Sequence, residues 1–429
     1  MKKLVTLLVL SSSLFAYSQN FDKQIEKLVN ATENQVIDWR HWFHQNAELS
    51  NREFKTGERI AAILREIGYE PQIGVAKTGV VAVLKGGKPG PVVGLRADID
   101  GLPVKERVDI PWASKQMGEY NGEQVPVMHA CGHDTHLSIL LGVAKMLWEI
   151  KDQVPGTVKF IFQPAEEGAP QGEEGGAELM IKEQVLQNPT VDAIFGLHID
   201  AGTPVGTLRS RPEGIYAASN SFRIDIKGKQ SHGSAPWSGT DPIVTAAQII
   251  NNLQTVVSRN ANLITAPAVV TVGAIHAGNR SNIIPEELYM LGTIRTLDPE
   301  MTALVHRRVK EVATKTAESN NAEITITIDK GNPVTFNDPT LYEQMLPTLK
   351  RAAGKGNYEV MKPITGGEDF AYFQKEIPGL YFDIGGCPLG KDPKTAADHH
   401  TPDFYVDDAG MKLGMKAMMG LALDYLEHH

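Results

Sequence analysis

The chain has 429 residues, 42% hydrophobic and 22% charged, with a net charge of −9 at pH 7. This length exceeds what one hydrophobic core ordinarily serves and predicts two domains, while the acidic balance excludes nucleic acid and anionic membrane surfaces as partners, though not a local cationic pocket. Two cysteines, Cys131 and Cys387, are too few for a disulfide scaffold.

The chain opens with Met1-Lys2-Lys3, an apolar run from Leu4 to Leu10, three serines and Ala16-Tyr17-Ser18-Gln19. Charged, apolar and small-residue segments in that order predict a secretory signal peptide over residues 1–19, hence a periplasmic or secreted protein, with an apolar core too short to span a bilayer. No Cys follows that run closely and no later stretch is long and apolar enough to span, so no membrane anchor is expected. Phe21 to Glu48 is helical by period, with Ile25, Leu28, Val29, Ile37 and Phe43 apolar, and a second helix is expected from Thr56 to Gly68. Gly79 to Leu84 and Val92 to Leu95 read as strands, the second leading into Arg96-Ala97-Asp98-Ile99-Asp100-Gly101-Leu102-Pro103.

Met128-His129-Ala130-Cys131-Gly132-His133-Asp134 then packs a thiol, imidazoles and a carboxylate into seven residues before a helix expected from Leu137 to Ile150. Cys131 and His133, two apart on an irregular loop, have the chemistry to ligate one zinc-like ion. The alternatives are a buried thiol among capping polar groups, or a bridge from Cys131 to Cys387. The strand Thr157 to Phe162 ends in Gln163-Pro164-Ala165-Glu166-Glu167-Gly168, and Val191 to Leu197 ends in His198. Asp98 with Asp100, Glu166 with Glu167, and His198 thus each stand where an apolar strand stops, and in open α/β sheets ligands bind beyond the carboxyl ends of strands. Taken singly these are ordinary loop carboxylates and a surface histidine; at successive strand ends they point to one crevice.

From Gly214 the pattern changes: strand Ser221 to Ile226, helix Asp241 to Val257, strands Ala268 to Ile275 and Glu287 to Thr296, helix Thr302 to Ser319, strand Ile324 to Ile328. This β-α-β-β-α-β order predicts a ferredoxin-like α+β unit. Helix Leu341 to Ala353, strand Leu380 to Gly385, the loop Asp398-His399-His400-Thr401-Pro402 and a helix from Asp408 resume the first pattern. The expected fold is a helix-covered mixed α/β sheet, residues 20–213 and 329–429, split around an inserted domain at 214–328.

The ordered motifs carry a resemblance. Trp39-Arg40-His41 through His44 and Glu48-Leu49-Ser50, the Arg-Ala-Asp-Ile-Asp run at 96–100, His-Ala-Cys-Gly-His-Asp at 129–134 and Gln-Pro-Ala-Glu-Glu-Gly at 163–168 resemble the N-acyl-amino-acid amidohydrolases. So do Ser-His-Gly-Ser-Ala-Pro at 231–236, Asn-Ile-Ile-Pro at 282–285, Gly-Gly-Glu-Asp-Phe at 366–370 and His-Thr-Pro at 400–402. That group, which includes hippurate hydrolases and plant indole-acetyl-amino-acid hydrolases, lies within the dinuclear metallopeptidases related to aminoacylase and carboxypeptidase G.

The resemblance implies two divalent metal ions per subunit, zinc, manganese, cobalt or nickel. Cys131 would bridge them, His133, Glu167, His198 and His400 would complete the set, Glu166 would be the general base, and Asp100 would orient the ligands; a direct role for Asp98 stays open. It further implies a homodimer through the inserted lid domain, with His232 reaching the neighbouring subunit's site, Asn282 and Arg295 binding the substrate's oxyanion region and carboxylate, and Gly366 and Gly367 offering backbone to it. The expected activity is hydrolysis of an N-acyl-amino acid to a carboxylic acid and a free amino acid. The alternatives are a dipeptidase or carboxypeptidase with the same site, or a metal-containing binding protein without activity, against which Glu166 argues because a structural metal site has no use for an unligated carboxylate beside it. Ala47, Gly101 and Trp237 depart from the group's usual residues, and Trp237 bears on the acyl pocket.

Overall fold

A computed structural model describes the chain, with side chains described from Phe21 onward. The export segment expected over residues 1–19 lies outside those described residues. The chain forms two compact units, Met1–Pro212 with Asn337–Met361 and Tyr372–His429, and Glu213–Phe336 with Lys362–Ala371.

The first unit is built on an eight-stranded mixed sheet in the order Gln72–Val75, Gly79–Lys85, Pro155–Gln163, Lys88–Asp98, Ala193–Pro204, Gly379–Cys387, Leu208–Ser210, Tyr358–Val360. Its centre is parallel: Lys88–Asp98 runs with Pro155–Gln163 on one side and Ala193–Pro204 on the other, and the latter runs with Gly379–Cys387. Parallel central strands are covered on both faces and therefore read as continuous apolar runs, as in Gly379–Cys387, where every residue is buried. The parallel alignment brings the ends of three strands side by side, with Asp98 beside Gln163 and Arg96 beside Gly196. Ala193–Pro204 runs on past His198, which the apolar run alone had placed at a strand end, because Gly379–Cys387 continues to pair with it.

Against this sheet lies the helix His133–Glu149, packed between the helices Lys2–Gln45 and Met411–His428. Leu137, Ile139, Leu140, Leu141, Val143, Met146 and Leu147 are all fully buried, and burying each such side chain contributes about 2 kcal/mol. Gly142 lets the helices approach: a Cβ there would stand 2.7 Å from Val36 and 2.8 Å from the Met415 sulfur. The first helix also buries polar groups. Arg40 Nε donates to Asp134 Oδ2 at 3.0 Å, and His44 lies between Asp134 Oδ2 at 3.0 Å and Glu106 Oε1 at 3.1 Å. Burial alone would lower the His44 pKa, but the Asp134 and Glu106 carboxylates outweigh it and push it up to about 9.

A histidine that titrates higher folded than unfolded stabilises the fold fully below its unfolded pKa of about 6.5 and stops doing so above its folded value. His44 therefore contributes on the order of 3 kcal/mol near pH 6, and this contribution is lost as pH rises through 9. Urea unfolding of metal-free protein should show stability falling from pH 6 to pH 9.5, and His44→Gln should start lower and fall less steeply, keeping only the slope that His133, raised to about 10, contributes. A parallel slope in the variant would place the titration elsewhere.

The second unit is a four-stranded antiparallel sheet, ordered Ala268–Ala277, Glu287–Thr296, Ala218–Lys227, Glu323–Lys330, with the helices Pro242–Thr255 and Pro299–Ser319 on one face. In sequence order the strands lie 2-3-1-4, as a ferredoxin-like unit requires. The second helix starts at Pro299 rather than Thr302, because Asp298 accepts the Met301 N–H and a proline at the first helical position needs no hydrogen bond. The unit is larger than 214–328. Ser219 donates its N–H to Asn332, Ala217 to Gly366, and Ile364 to Ile215, so aperiodic segments on both sides of residues 337–361 join it by backbone hydrogen bonds that leave no pattern in sequence.

Candidate metal and catalytic site

The loops after Lys88–Asp98 and Pro155–Gln163, the segment leading into the helix His133–Glu149, the 398–402 loop and His198 within the strand Ala193–Pro204 build the site in the first unit. The loop carrying Cys131 and His133 turns at Gly132, which has a φ of 98° and lies so close to Ile199 that a Cβ would stand 2.5 Å from its side chain; only glycine is admitted there. His400 N–H donates to Ala130 at 2.8 Å, fastening the 398–402 loop to this one. The turn with Glu166 and Glu167 passes through Ala165 at φ 52°, and its three successive N–H groups are taken by buried carboxylates. Ala165 donates to Glu53 Oε1 at 2.8 Å, Glu166 to Asp100 Oδ1 and Glu167 to Asp100 Oδ2, both at 3.1 Å. Asp100 also accepts Ser50 Oγ and holds His133 Nδ1 through its carbonyl at 2.9 Å and Oδ1 at 3.2 Å. Asp100 is thus the hub that aims both glutamates and one imidazole.

The five expected metal ligands come together. Cys131 Sγ stands 3.4 Å from His198 Nε2; His400 Nε2 is 3.2 Å from Glu167 Oε1; His133 Nε2 is 3.8 Å from both Glu167 Oε1 and Glu166 Oε2. Cys131, Glu167 and His400 form one compact donor group, and Cys131 with His198 belongs to a second, so the thiol is common to both. The donors fit a metal pair on the structure's own terms. His133 Nε2 is buried, faces Glu167 Oε1 at 3.8 Å and is satisfied by no hydrogen bond, and a buried polar group left so costs about 1–3 kcal/mol unless something such as a cation meets it. His133 and His198 each place Nδ1 on a carbonyl, of Asp100 and of Ile199, which leaves Nε2 as the ligating atom.

The electrostatics agree. Burial opposes charge on His133, but Asp98, Asp100 and Glu167 push its pKa up to about 10: the pocket holds a positive charge, as a proton or as a metal. Burial and the carboxylates of Glu167, Glu166 and Asp98 drive the Cys131 thiol well up, so the thiolate needs a cation beside it. His198 is held neutral by burial and by His136 and His399. Cys131 and Cys387 are both free thiols.

Three participants escaped sequence reasoning. His136 donates to Asp98 Oδ1 at 2.7 Å and accepts the Ile199 N–H at 2.8 Å; with Arg96 on Oδ2, Asp98 is committed to this buried pairing. Glu53 clamps the glutamate turn and accepts Thr78 Oγ1 at 2.6 Å. His399 lies 3.7 Å from Cys131 Sγ. The helical offset of His136 from His133 was the one available signal, since residues three apart share a helix face.

In the second unit, His232 on the short strand Ser231–His232 pairs with Ile283. Its Nδ1 accepts from Ser234 N at 3.0 Å and lies 2.8 Å from Ser234 Oγ, so the ring proton sits on Nε2. Asn282 is brought beside it, its carbonyl taking the Gly233 N–H at 2.9 Å. Arg295 faces Ser219 across the strands, and a Cβ on Gly367 would stand 3.0 Å from the same Ser219 hydroxyl. Gly366 gives its carbonyl to Ala217. The expected substrate-binding residues therefore form two neighbourhoods, one around His232 and one around Ser219.

Comparison with known proteins is consistent over most of the chain. The description of peptidase family M20/M25/M40 matches residues 94–424. The chain belongs to this family. It is 36% identical over 406 residues to thermostable carboxypeptidase 2 of Saccharolobus solfataricus, covering 94% of this chain and 98% of that protein. It is also 36% identical over 387 residues to N-acetyl-L-cysteine deacetylase of Bacillus subtilis, covering 89% and 86%. Among solved structures it resembles the Bacillus subtilis YXEP protein, described as a dinuclear metal binding peptidase of the M20 family, with a TM-score of 0.77 and 33% identity over 93% of this chain and 99% of that one. This M20 chain is accordingly a metal-dependent hydrolase. Among its described residues no helix is long and apolar enough to cross a membrane.

Proposed function

We propose that this M20 hydrolase cleaves the amide bond of N-acyl-amino acids, releasing a carboxylic acid and a free amino acid. The observation that supports this most is the pairing of Glu167, inside the donor group with Cys131 and His400, with Glu166, its neighbour on the same Asp100-held turn. Cys131, His133, Glu167, His198 and His400 would hold two divalent ions, which when bound would supply Lewis acidity to the amide carbonyl and to water. The donor set of thiolate, imidazole and carboxylate suits zinc and its neighbours manganese, cobalt and nickel.

Glu166 takes a proton from the attacking water and delivers it to the amide nitrogen, since an amine leaves only once protonated. His232 hydrogen-bonds the carbonyl oxygen through Nε2–H as charge builds there, keeping its proton. Asn282 and Arg295, with the backbone at Gly366 and Gly367, hold the substrate's oxyanion region and carboxylate. We further assign the chain to an exported protein on the charge and apolar pattern of residues 1–19.

Turnover of N-acetyl-, N-benzoyl- and indole-acetyl-amino acids should exceed that of dipeptides by at least about tenfold in kcat/KM, a difference of roughly 1.4 kcal/mol in transition-state binding, with zinc, manganese or cobalt supplied. The reverse order would favour the dipeptidase or carboxypeptidase reading, which the carboxypeptidase relative supports. No turnover of either class would favour a binding protein.

The same proposal includes a homodimer. The strand Ala268–Ala277 is an edge of its sheet and leaves Val269 and Ile275 about half exposed, at 41% and 47%; an unpaired edge with apolar side chains is a template for a second copy. With His232 serving the partner's site, inactive Glu166→Gln protein mixed with inactive His232→Ala protein should regain partial activity as subunits exchange, because one site of the mixed dimer has both residues intact. Exchange verified with labelled subunits but without activity would remove the trans role, and an active monomer in sedimentation would remove the dimer.

A further inference from the structure

His399 stands in the donor group with Cys131 and His198, and spacing alone would make it a ligand. Metal–sulfur and metal–nitrogen bonds of about 2.3 and 2.05 Å at a tetrahedral ion put sulfur and nitrogen roughly 3.6 Å apart. The observed Cys131 Sγ distances are 3.4 Å to His198 Nε2 and 3.7 Å to His399 Nδ1. The tautomers separate the two rings. His198 has Nδ1 on the Ile199 carbonyl at 2.7 Å, so Nδ1 carries the proton and Nε2 presents a lone pair to the site. His399 is wired the other way: its Nε2 accepts the Ala201 N–H at 3.2 Å. An acceptor nitrogen carries no proton, so in the neutral ring the proton is on Nδ1, and that N–H faces the sulfur.

Asp200 does not reverse this assignment. Its Oδ1 lies 3.6 Å from His399 Nε2, beyond hydrogen-bond reach, and accepts the Gly202 N–H at 3.1 Å, while Oδ2 takes Thr203 Oγ1 at 2.5 Å and Arg209 at 2.6 Å. The ring is also held in place, 5.2 Å from the His198 ring and 4.7 Å from that of Phe404. Ligation through Nδ1 would require an imidazolate or the loss of the Ala201 hydrogen bond. Donation to sulfur requires neither.

We propose that His399 is a positioning residue which hydrogen-bonds the Cys131 sulfur through Nδ1–H, lowering the negative charge of the shared thiolate, and is not itself a metal ligand. This rests on the reading of Cys131 as a metal ligand. The bond withdraws electron density from sulfur, so it sets how strongly the thiolate donates to both ions and how firmly they are held. Its neighbour His400 reaches Glu167, so the adjacent histidines of one loop serve different tasks.

Cobalt-loaded full-length protein tests it, with cobalt as the probe. His399→Ala should still bind two cobalt ions at saturation, with affinity lowered about 10–100-fold, the usual effect of losing an outer partner of a ligand. The sulfur-to-cobalt charge-transfer band should move to lower energy, while the visible ligand-field bands keep their positions and intensity. His399→Asn places an amide N–H where Nδ1–H stood and should restore both the band and the affinity. A changed ligand-field spectrum, loss of one ion in both variants, or an unmoved charge-transfer band would each overturn the proposal. If Cys131→Ser retains both ions and the charge-transfer band, the underlying ligand assignment fails instead, which is a separate result. Circular dichroism of the Asn variant, close in size to the lost edge of the ring, confirms that the fold is intact.

Discussion

Glu166→Gln should keep both metal ions and lose turnover by about 10²–10⁴, the usual contribution of a positioned general base. The amide matches the carboxylate in size and leaves the backbone N–H on Asp100 Oδ1 untouched, so the turn and its neighbour stay in place. What is lost is the group that receives the proton. Glu167→Gln should behave differently, because Glu167 Oε1 faces both His133 Nε2 and His400 Nε2, at 3.8 and 3.2 Å. There the lost charge weakens the hold on the cation itself, and metal content should fall together with activity. Metal analysis of the two purified variants separates these effects, and equal depletion in both would contradict the division of labour between adjacent glutamates.

Cys131→Ser should deplete metal more severely than the roughly 10–100-fold seen on losing an outer partner, whereas Cys387→Ser should leave metal content and turnover near wild type. Both thiols are buried and free, so exposure does not distinguish them. Surroundings do. Cys131 lies among the donors of both candidate groups, with its thiol driven up by burial and by Glu167, Glu166 and Asp98, so the thiolate and the cations depend on each other. The Cys387 sulfur makes a weak contact with the Pro388 carbonyl at 3.9 Å and belongs to neither donor group. Serine would not supply the soft, deprotonated donor that the proposed pair of ions requires. A disulfide joining Cys131 and Cys387 in metal-loaded protein, detected by mass spectrometry, would overturn the assignment, as would metal loss in the Cys387 variant.

Much of this architecture was legible in one dimension, because its causes are local. The apolar runs at 79–84, 92–95, 157–162 and 380–385 are buried strands, and such strands need no partner to announce themselves. The period of 3.6 marked Leu137 to Ile150 as a helix, and the structure starts it four residues earlier, at His133, where Gly132 takes the positive φ that L side chains avoid. Asp98, Glu166 and Glu167 fell near strand ends, and because the central strands are parallel those ends lie on one edge of the sheet. The ferredoxin-like order of the inserted segment followed from element sequence alone.

Side-chain assignments that depend on a distant partner were not legible. Asp98 and Asp100 look alike in sequence, yet one is bound to Arg96 and His136 while the other gathers Ser50, His133 and two N–H groups of the glutamate turn. Glu53 reaches that turn across 112 positions, and His399 reaches Cys131 across 268. His399 and His400 are adjacent in the chain and meet different partners, since His400 takes a φ of 64° that turns its side chain toward Glu167. Residue type and local period determined which donors this protein has and near which strand ends they stand. Which nitrogen of each ring carries a proton, and so which donor is left to meet a metal, was decided only when the fold set a backbone N–H or carbonyl against the other nitrogen, because a tautomer is fixed by its hydrogen-bond partner and that partner lies elsewhere in the chain.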